Sequence, residues 1–146
     1  MRITLLLLAV GLSSRSYAGN VSLLVEGSSE AIGTNGVLLE AVGMEVNGGA
    51  FFTILPKGCK LPCSAKQNFA ARTADQPRIG FHLFRGNSPT VKSAHALGTV
   101  HISGFPPTPY GSTHVVVKFV ADSSGITLSG KNIALELLLP NDVGAR

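Results

Sequence analysis

Short apolar segments with a period of two, separated by glycine and proline, constrain this fold more than any other feature. Residues 78–85 alternate apolar and polar side chains, and so do residues 98–103. A period of two is that of a strand with one buried face. After residue 103 the chain reads GFPPTPYG, and its three prolines cannot donate to a ladder. The run therefore ends one strand before the segment at residues 115–120 begins the next.

Turn-forming residues recur along the chain at short intervals. Asn-Gly-Gly at residues 47–49 and Asp-Ser-Ser-Gly at residues 122–125 are typical of hairpin turns, because these residues tolerate positive φ. We predict an all-β protein, an antiparallel β-sandwich of seven or eight short strands. Residues 133–139 fit either a strand or one short helix, and their end at Pro140 favours the strand.

The N-terminus has the layout of a secretory signal peptide. Arg2 precedes an apolar stretch at residues 3–12, which is too short to cross a bilayer. Ser16 and Ala18 then supply small side chains at the −3 and −1 positions of a cleavage site. We expect residues 1–18 to be removed and the mature chain to be secreted or periplasmic, with no stable membrane span. An uncleaved anchor and a leucine-rich first strand are the alternatives.

The rest of the chain divides by composition into three parts. Residues 19–36 are rich in Gly, Ser and Asn, and we expect a flexible lead-in there, with one short strand at residues 21–25 as an option. Residues 37–139 hold the sandwich, and residues 140–146 form a tail. The length of 146 residues suits one domain.

The charge of the chain disfavours nucleic acid as a partner. Removing residues 1–18 takes away two of the 12 basic residues and none of the eight acidic ones, so the net charge falls from +4 to +2. No basic run with interleaved aromatic residues is present. We therefore expect no nucleic-acid binding.

The motifs that usually carry catalysis are missing. The sequence contains no G-x-S-x-G, no H-E-x-x-H, no P-loop and no G-x-G-x-x-G, and its carboxylates are scattered. We predict no enzyme, no catalytic residues and no cofactor. His101 and His114 flank the proline run and could meet across adjacent strands as a two-histidine metal site. Two solvated strand histidines are the commoner arrangement, and we expect no metal.

The two cysteines, Cys59 and Cys63, lie in the segment CKLPC. Residues i and i+4 of an extended chain lie ~13 Å apart, whereas a disulfide needs Cα atoms within about 7 Å. Only a tight bend at Leu61-Pro62 would allow a bridge. The spacing therefore favours a free or mixed-state pair.

Five runs between residues 42 and 126 resemble a known family. They read VGMEVNGGAFFTILPKGCKLP, NFAARTADQ, IGFHLFRGN, LGTVHISGFPPTPYG and VKFVADSSGI. They resemble the β-sandwich peptide-binding domain of the seventy-kilodalton heat-shock chaperones, and residues 43–125 align with that family's pattern without a gap. GFPPTPYG is the most specific run, because the Gly-Gly hairpin is common elsewhere.

The resemblance implies a binding site for an extended apolar peptide or an unfolded protein segment. In the family one pocket takes a Leu-like side chain, and a small arch closes over the peptide. Carried over position by position, the pocket falls on Met44, Val46, Phe69, Ile79, Phe81 and Val115. The arch falls on Asn47 and Arg72.

The chain also departs from the family's pattern. The family's nucleotide-binding domain and helical lid have no counterpart in it, Arg72 stands where the arch usually has a small residue, and Tyr110 replaces an arginine that latches the lid. We therefore expect an exported, ATP-independent module that binds apolar peptides weakly. The alternative is a structural or interaction sandwich that has lost peptide binding and acts through homodimerisation or partner docking.

Overall fold

The computed structural model of the chain describes residues 20–71, 78–105 and 114–140. Nine strands within these residues form two antiparallel sheets, so the predicted all-β sandwich is confirmed, with more strands than the seven or eight expected. The strands are β1 (Asn20–Leu24), β2 (Ala41–Val46), β3 (Ala50–Leu55), β4 (Cys63–Ala70), β5 (Arg78–Gly86), β6 (His95–Ser103), β7 (His114–Asp122), β8 (Gly125–Lys131) and β9 (Ala134–Leu138).

The two sheets bury the faces that the alternation predicts. One sheet has the strand order β1-β8-β7-β4, and the other has the order β3-β2-β5-β6-β9. Along β5 and β7, exposed and buried residues alternate from the first residue onward. Phe119 of β7 and Leu83 of β5 are fully buried in the core between the sheets. The region at residues 133–139, which fitted a strand or a helix, is strand β9, paired with β6.

Two predicted hairpins are present. Between β2 and β3, Gly48 and Gly49 have φ angles of 79° and 81°, which L-residues with side chains rarely adopt. Between β7 and β8, the Asp122 carboxylate accepts hydrogen bonds from the Ser124 hydroxyl at 2.6 Å and from the Ser124 backbone N–H at 2.9 Å. The hydroxyl first, and then the N–H, lowers the pKa of Asp122 below its ordinary value, because both stabilise the charged form.

Residues 20–36 pack on the sandwich, which differs from the flexible lead-in expected from their composition. β1 pairs with β8 over its whole length, and Val25 and Ala31 are buried in the common core. The Ser28 hydroxyl donates to the Val25 carbonyl at 2.6 Å and accepts the Ile126 N–H at 2.8 Å. A buried hydroxyl thus joins this segment to β8, through a contact that no local sequence pattern reveals.

An arginine holds the same segment at one end of the sandwich. Arg85, near the end of β5, forms an ion pair with Glu30 at 2.7 Å and a second one with Glu40. The Arg85 side chain is mostly buried, whereas Glu30 is exposed. The pair with Glu40 is therefore the better shielded from solvent of the two.

The expectation of free cysteines is wrong. Cys59 and Cys63 form a disulfide, and their Cα atoms lie 6.2 Å apart because the chain between them bends instead of extending. The peptide bond between Leu61 and Pro62 is cis. The bent loop is also held by its backbone, since Leu38 donates its N–H to the Cys59 carbonyl at 3.0 Å. The described residues contain no helix that is long and apolar enough to cross a membrane.

We predict that Ser28→Ala destabilises the fold. The substitution leaves the Ile126 N–H without its acceptor in a buried site, and we expect the free energy of unfolding to fall by about 1–3 kcal/mol. Urea unfolding followed by circular dichroism measures the change. The matched control is Ser29→Ala, since Ser29 is exposed in the same short 3₁₀ helix. Equal unfolding midpoints for the two variants would contradict the assigned role of Ser28.

Candidate functional site

Four of the six predicted pocket residues lie together at one end of the sandwich. Phe69 and Val115 are direct partners on β4 and β7 of the four-stranded sheet. Ile79 and Phe81 lie on β5 of the five-stranded sheet, and their side chains point toward the first pair. We call these four residues the Phe69 cluster. The cluster therefore joins the two sheets at the end where β5 and β7 begin.

The aromatic rings of the cluster are closely packed. The rings of Phe69 and Phe81 stack with their centroids 4.8 Å apart, and Phe81 also meets the ring of Phe119 at 6.1 Å. The exposed fractions are 8% for Phe69, 7% for Phe81 and 5% for Val115. A ligand side chain could reach only the rim of this cluster unless the rings moved apart.

Beside the cluster, two neighbouring strands separate. β2 and β5 are paired only where Ala41–Met44 of β2 lie beside Leu83–Gly86 of β5. Toward the cluster, residues 79–82 of β5 are paired with β6 and with no other strand that the structure describes. Residues 45–46 of β2 are likewise paired only with β3. Both strands thus have backbone groups available for an extended chain.

The two remaining pocket residues lie on β2, next to this separation. Met44 is half-buried and packs against the core, while Val46 is 36% exposed. The strand period places both on the same face. Phe52 of β3 is the direct partner of Met44 and is 42% exposed. An apolar strip therefore continues from the buried cluster to the surface along the β2–β3 hairpin.

The predicted arch is described only in part. Asn47 is exposed at the start of the β2–β3 turn. Arg72, Tyr110 and residues 106–111 of the proline run lie outside the described residues. Phe105, immediately before the prolines, is partly buried against the core. The apolar-polar alternation does not predict that Phe105 is buried, because Phe105 follows the end of β6. Its aromatic side chain is the one feature of the sequence that indicates burial.

The histidines do not meet as the metal-site alternative requires. His101 lies on β6 of the five-stranded sheet, and His114 lies on β7 of the four-stranded sheet, so they are not on adjacent strands. The His101 Nδ1 is 4.0 Å from a Glu136 carboxylate oxygen. Among the residues described, no three histidine, cysteine or acidic side chains are grouped closely enough to hold a metal ion.

Comparisons with known proteins show the same family that the sequence resembles. The family described as "Hsp70 protein" matches residues 31–132. The chain is also similar to the heat shock cognate 70 kDa protein 3 of Dictyostelium discoideum, with 31% identity over 86 residues. The matched region is 59% of this chain but only 14% of that relative. Because the family match spans more than half of the chain, this protein belongs to the Hsp70 family.

Proposed function

We propose that this sandwich is a substrate-binding domain of the chaperone type, which holds an extended apolar segment of an unfolded polypeptide. The observation that carries the proposal is the position of the Phe69 cluster beside the separation of β2 and β5. One site thereby combines an apolar contact with unpaired strand backbone. Family membership supports the same assignment.

The strength of such binding follows from the contacts that the site offers. Burial of one Leu-like side chain contributes about 1.5–3 kcal/mol, and each backbone hydrogen bond contributes about 0.5–1.5 kcal/mol net. Residues 79–82 and 45–46 can provide only a few such bonds. After the cost of association, we expect micromolar or weaker affinity, near −8 kcal/mol at most. Since the cluster and the strand backbone supply all of these contacts, we propose that binding needs no ATP.

Ile79→Phe tests the site by enlarging one side chain of the Phe69 cluster. Ile79 is buried on β5, two residues before Phe81 and on the same face. We predict that the larger ring weakens binding of a fluorescein-labelled Leu-rich heptapeptide by at least about tenfold. Fluorescence anisotropy measures the affinity, and added ATP should leave it unchanged.

The matched control for Ile79→Phe is Val116→Phe. Val116 lies on the outer face of β7, next to cluster residue Val115, so the substitution adds a ring without reaching the cluster. Thermal unfolding checks that both variants are folded. The proposal fails if wild-type protein shows no saturable binding up to about 100 μM, or if both variants bind as the wild type does.

The tight packing of the side chains in the Phe69 cluster favours a second function. Phe69 and Phe81 already stack against each other, so they occupy space that a peptide side chain would take. On this alternative, the sandwich is a structural or interaction domain that acts through a homodimer or a docked partner. Peptide binding would then be lost, and the cluster would serve only as core.

Phe81→Val distinguishes the two functions. The smaller side chain removes the ring that stacks on Phe69 and opens space at the centre of the cluster. If the site binds peptide, we expect affinity for the Leu-rich heptapeptide to rise, together with a loss of stability of about 1–3 kcal/mol. A loss of stability without any gain in affinity supports the structural role. Size-exclusion chromatography of wild-type protein reports in parallel whether it forms a dimer.

We propose in addition that the chain is exported, on the basis of the signal-like layout of residues 1–18. These residues lie outside the described part of the structure. Expression in a secreting host should yield a mature protein whose N-terminal sequence begins at Gly19, as Edman degradation or intact mass would show. An intact N-terminus in the exported fraction would contradict the cleavage site.

A further inference from the structure

The outer face of the four-stranded sheet carries a group of lysines. Lys66 on β4 and Lys118 on β7 are direct cross-strand partners. Lys131 on β8 lies two residues beyond Ser129, which is the partner of Lys118 on the other side. All three lysines are exposed, and the strand period places them on the same side of the sheet. We call this surface the lysine face.

The carboxylates that the structure describes lie away from the lysine face or already form hydrogen bonds and ion pairs. Glu30 and Glu40 bind Arg85, and Glu26 lines the same depression as Glu30 and Arg85. Glu45 and Glu136 belong to the other sheet. Asp122 is on the same strand as Lys118, but it is four residues away, about 13 Å along an extended chain. Its carboxylate is bonded to Ser124 in the turn. No described acidic side chain therefore neutralises the lysine face.

The arrangement of the lysines is unfavourable in the isolated chain. Like charges directly opposite each other on two strands are destabilising, and Lys66 and Lys118 are such a pair. Bound carboxylates would remove this repulsion and form charge-assisted hydrogen bonds with the ammonium groups. The face is thus complementary in charge to an anionic partner.

The shape of the face narrows the class of partner. A shallow depression crosses the sheet, lined by the three lysines, by the hydroxyls of Ser22 and Ser129, and by Val116, which is 49% exposed. Four strands about 4.8 Å apart give it a length of roughly 14 Å, the span of about four extended residues. No described aromatic side chain lines the depression to stack a nucleic-acid base. Three lysines are also fewer than the basic clusters that usually anchor proteins to anionic lipid.

We propose that the lysine face binds an acidic, extended segment of a partner polypeptide. The lysines and the serine hydroxyls bind its carboxylates, and Val116 contacts the intervening side chains or backbone. This site is separate from the Phe69 cluster, because Val116 and Lys118 point away from the core, whereas Val115 points into it. The inference therefore does not depend on peptide binding at the cluster.

The test compares two triple variants of the full chain. Lys66→Gln/Lys118→Gln/Lys131→Gln removes the lysine face. Lys57→Gln/Lys60→Gln/Lys92→Gln removes three exposed lysines elsewhere and changes the net charge equally. Fluorescence anisotropy with a labelled hexaglutamate peptide measures binding, with hexaglutamine as the neutral peptide.

We expect saturable hexaglutamate binding that weakens with added salt and falls at least about tenfold in the first variant. The second variant should lose less than about twofold, and both should unfold at wild-type temperatures. The Leu-rich heptapeptide should bind both variants equally, whether or not the cluster is a peptide site. Equal loss of hexaglutamate affinity in the two variants would show a net-charge effect and overturn the proposal.

Three further results would overturn the proposal and assign the face to another partner. The first is wild-type binding only to vesicles of phosphatidylserine and phosphatidylcholine. The second is binding only to single-stranded DNA. The third is a concentration-dependent dimer in analytical ultracentrifugation that the first triple variant abolishes. The absence of any saturable hexaglutamate binding up to about 1 mM also overturns it.

Discussion

Contact between Phe69 and Phe81 joins the two sheets at the end of the sandwich where the candidate site lies. Each ring comes from a different sheet, and Phe81 continues the contact inward to Phe119. Sheets that pack face to face need interdigitating side chains from both inner faces. The two rings pack in the same buried core as Ile79 and Val115. The stability of the end and the character of its site thus depend on the same side chains.

That double role explains why the site is closed. A binding pocket needs apolar residues that a ligand can reach, whereas a core needs the same residues to be packed. The side chains of the Phe69 cluster are packed against each other, and the accessible apolar surface described beside them lies along Met44, Val46 and Phe52. A bound segment would therefore lie on the rim and rely on the backbone of β2 and β5. This division of contacts favours weak binding with little selectivity for the apolar side chain.

The parts of the fold that depend on local periodicity could be predicted from the sequence, and the parts that depend on distant contacts could not. Alternation places Ile79 and Phe81 correctly because burial follows the strand period. The Cys59–Cys63 bridge was missed because its geometry depends on how the intervening loop bends. The composition of residues 19–36 indicates flexibility, but the Ser28 hydroxyl makes two hydrogen bonds that hold this segment. Composition cannot predict these bonds, because Ser28 is one of several serines in the segment.

The candidate site shows the same limit. The separation of β2 from β5 is a property of the pairing between strands, and the sequence pattern within either strand does not predict it. The two-histidine alternative also depended on pairing between strands, and β6 and β7, which flank the proline run, belong to different sheets. A connection between sheets looks the same in sequence as a connection between neighbouring strands.

β7 contributes residues to both of the surfaces that we propose as binding sites. Of its inward residues, Val115 belongs to the Phe69 cluster and Phe119 to the core. Its outward residues Val116 and Lys118 belong to the lysine face. Because successive side chains of a strand point to opposite sides, the two surfaces lie back to back across one layer of backbone. Ligands on them would not compete for space. They could influence each other only through a shift of β7 itself, which its pairing with β4 and β8 on both sides resists.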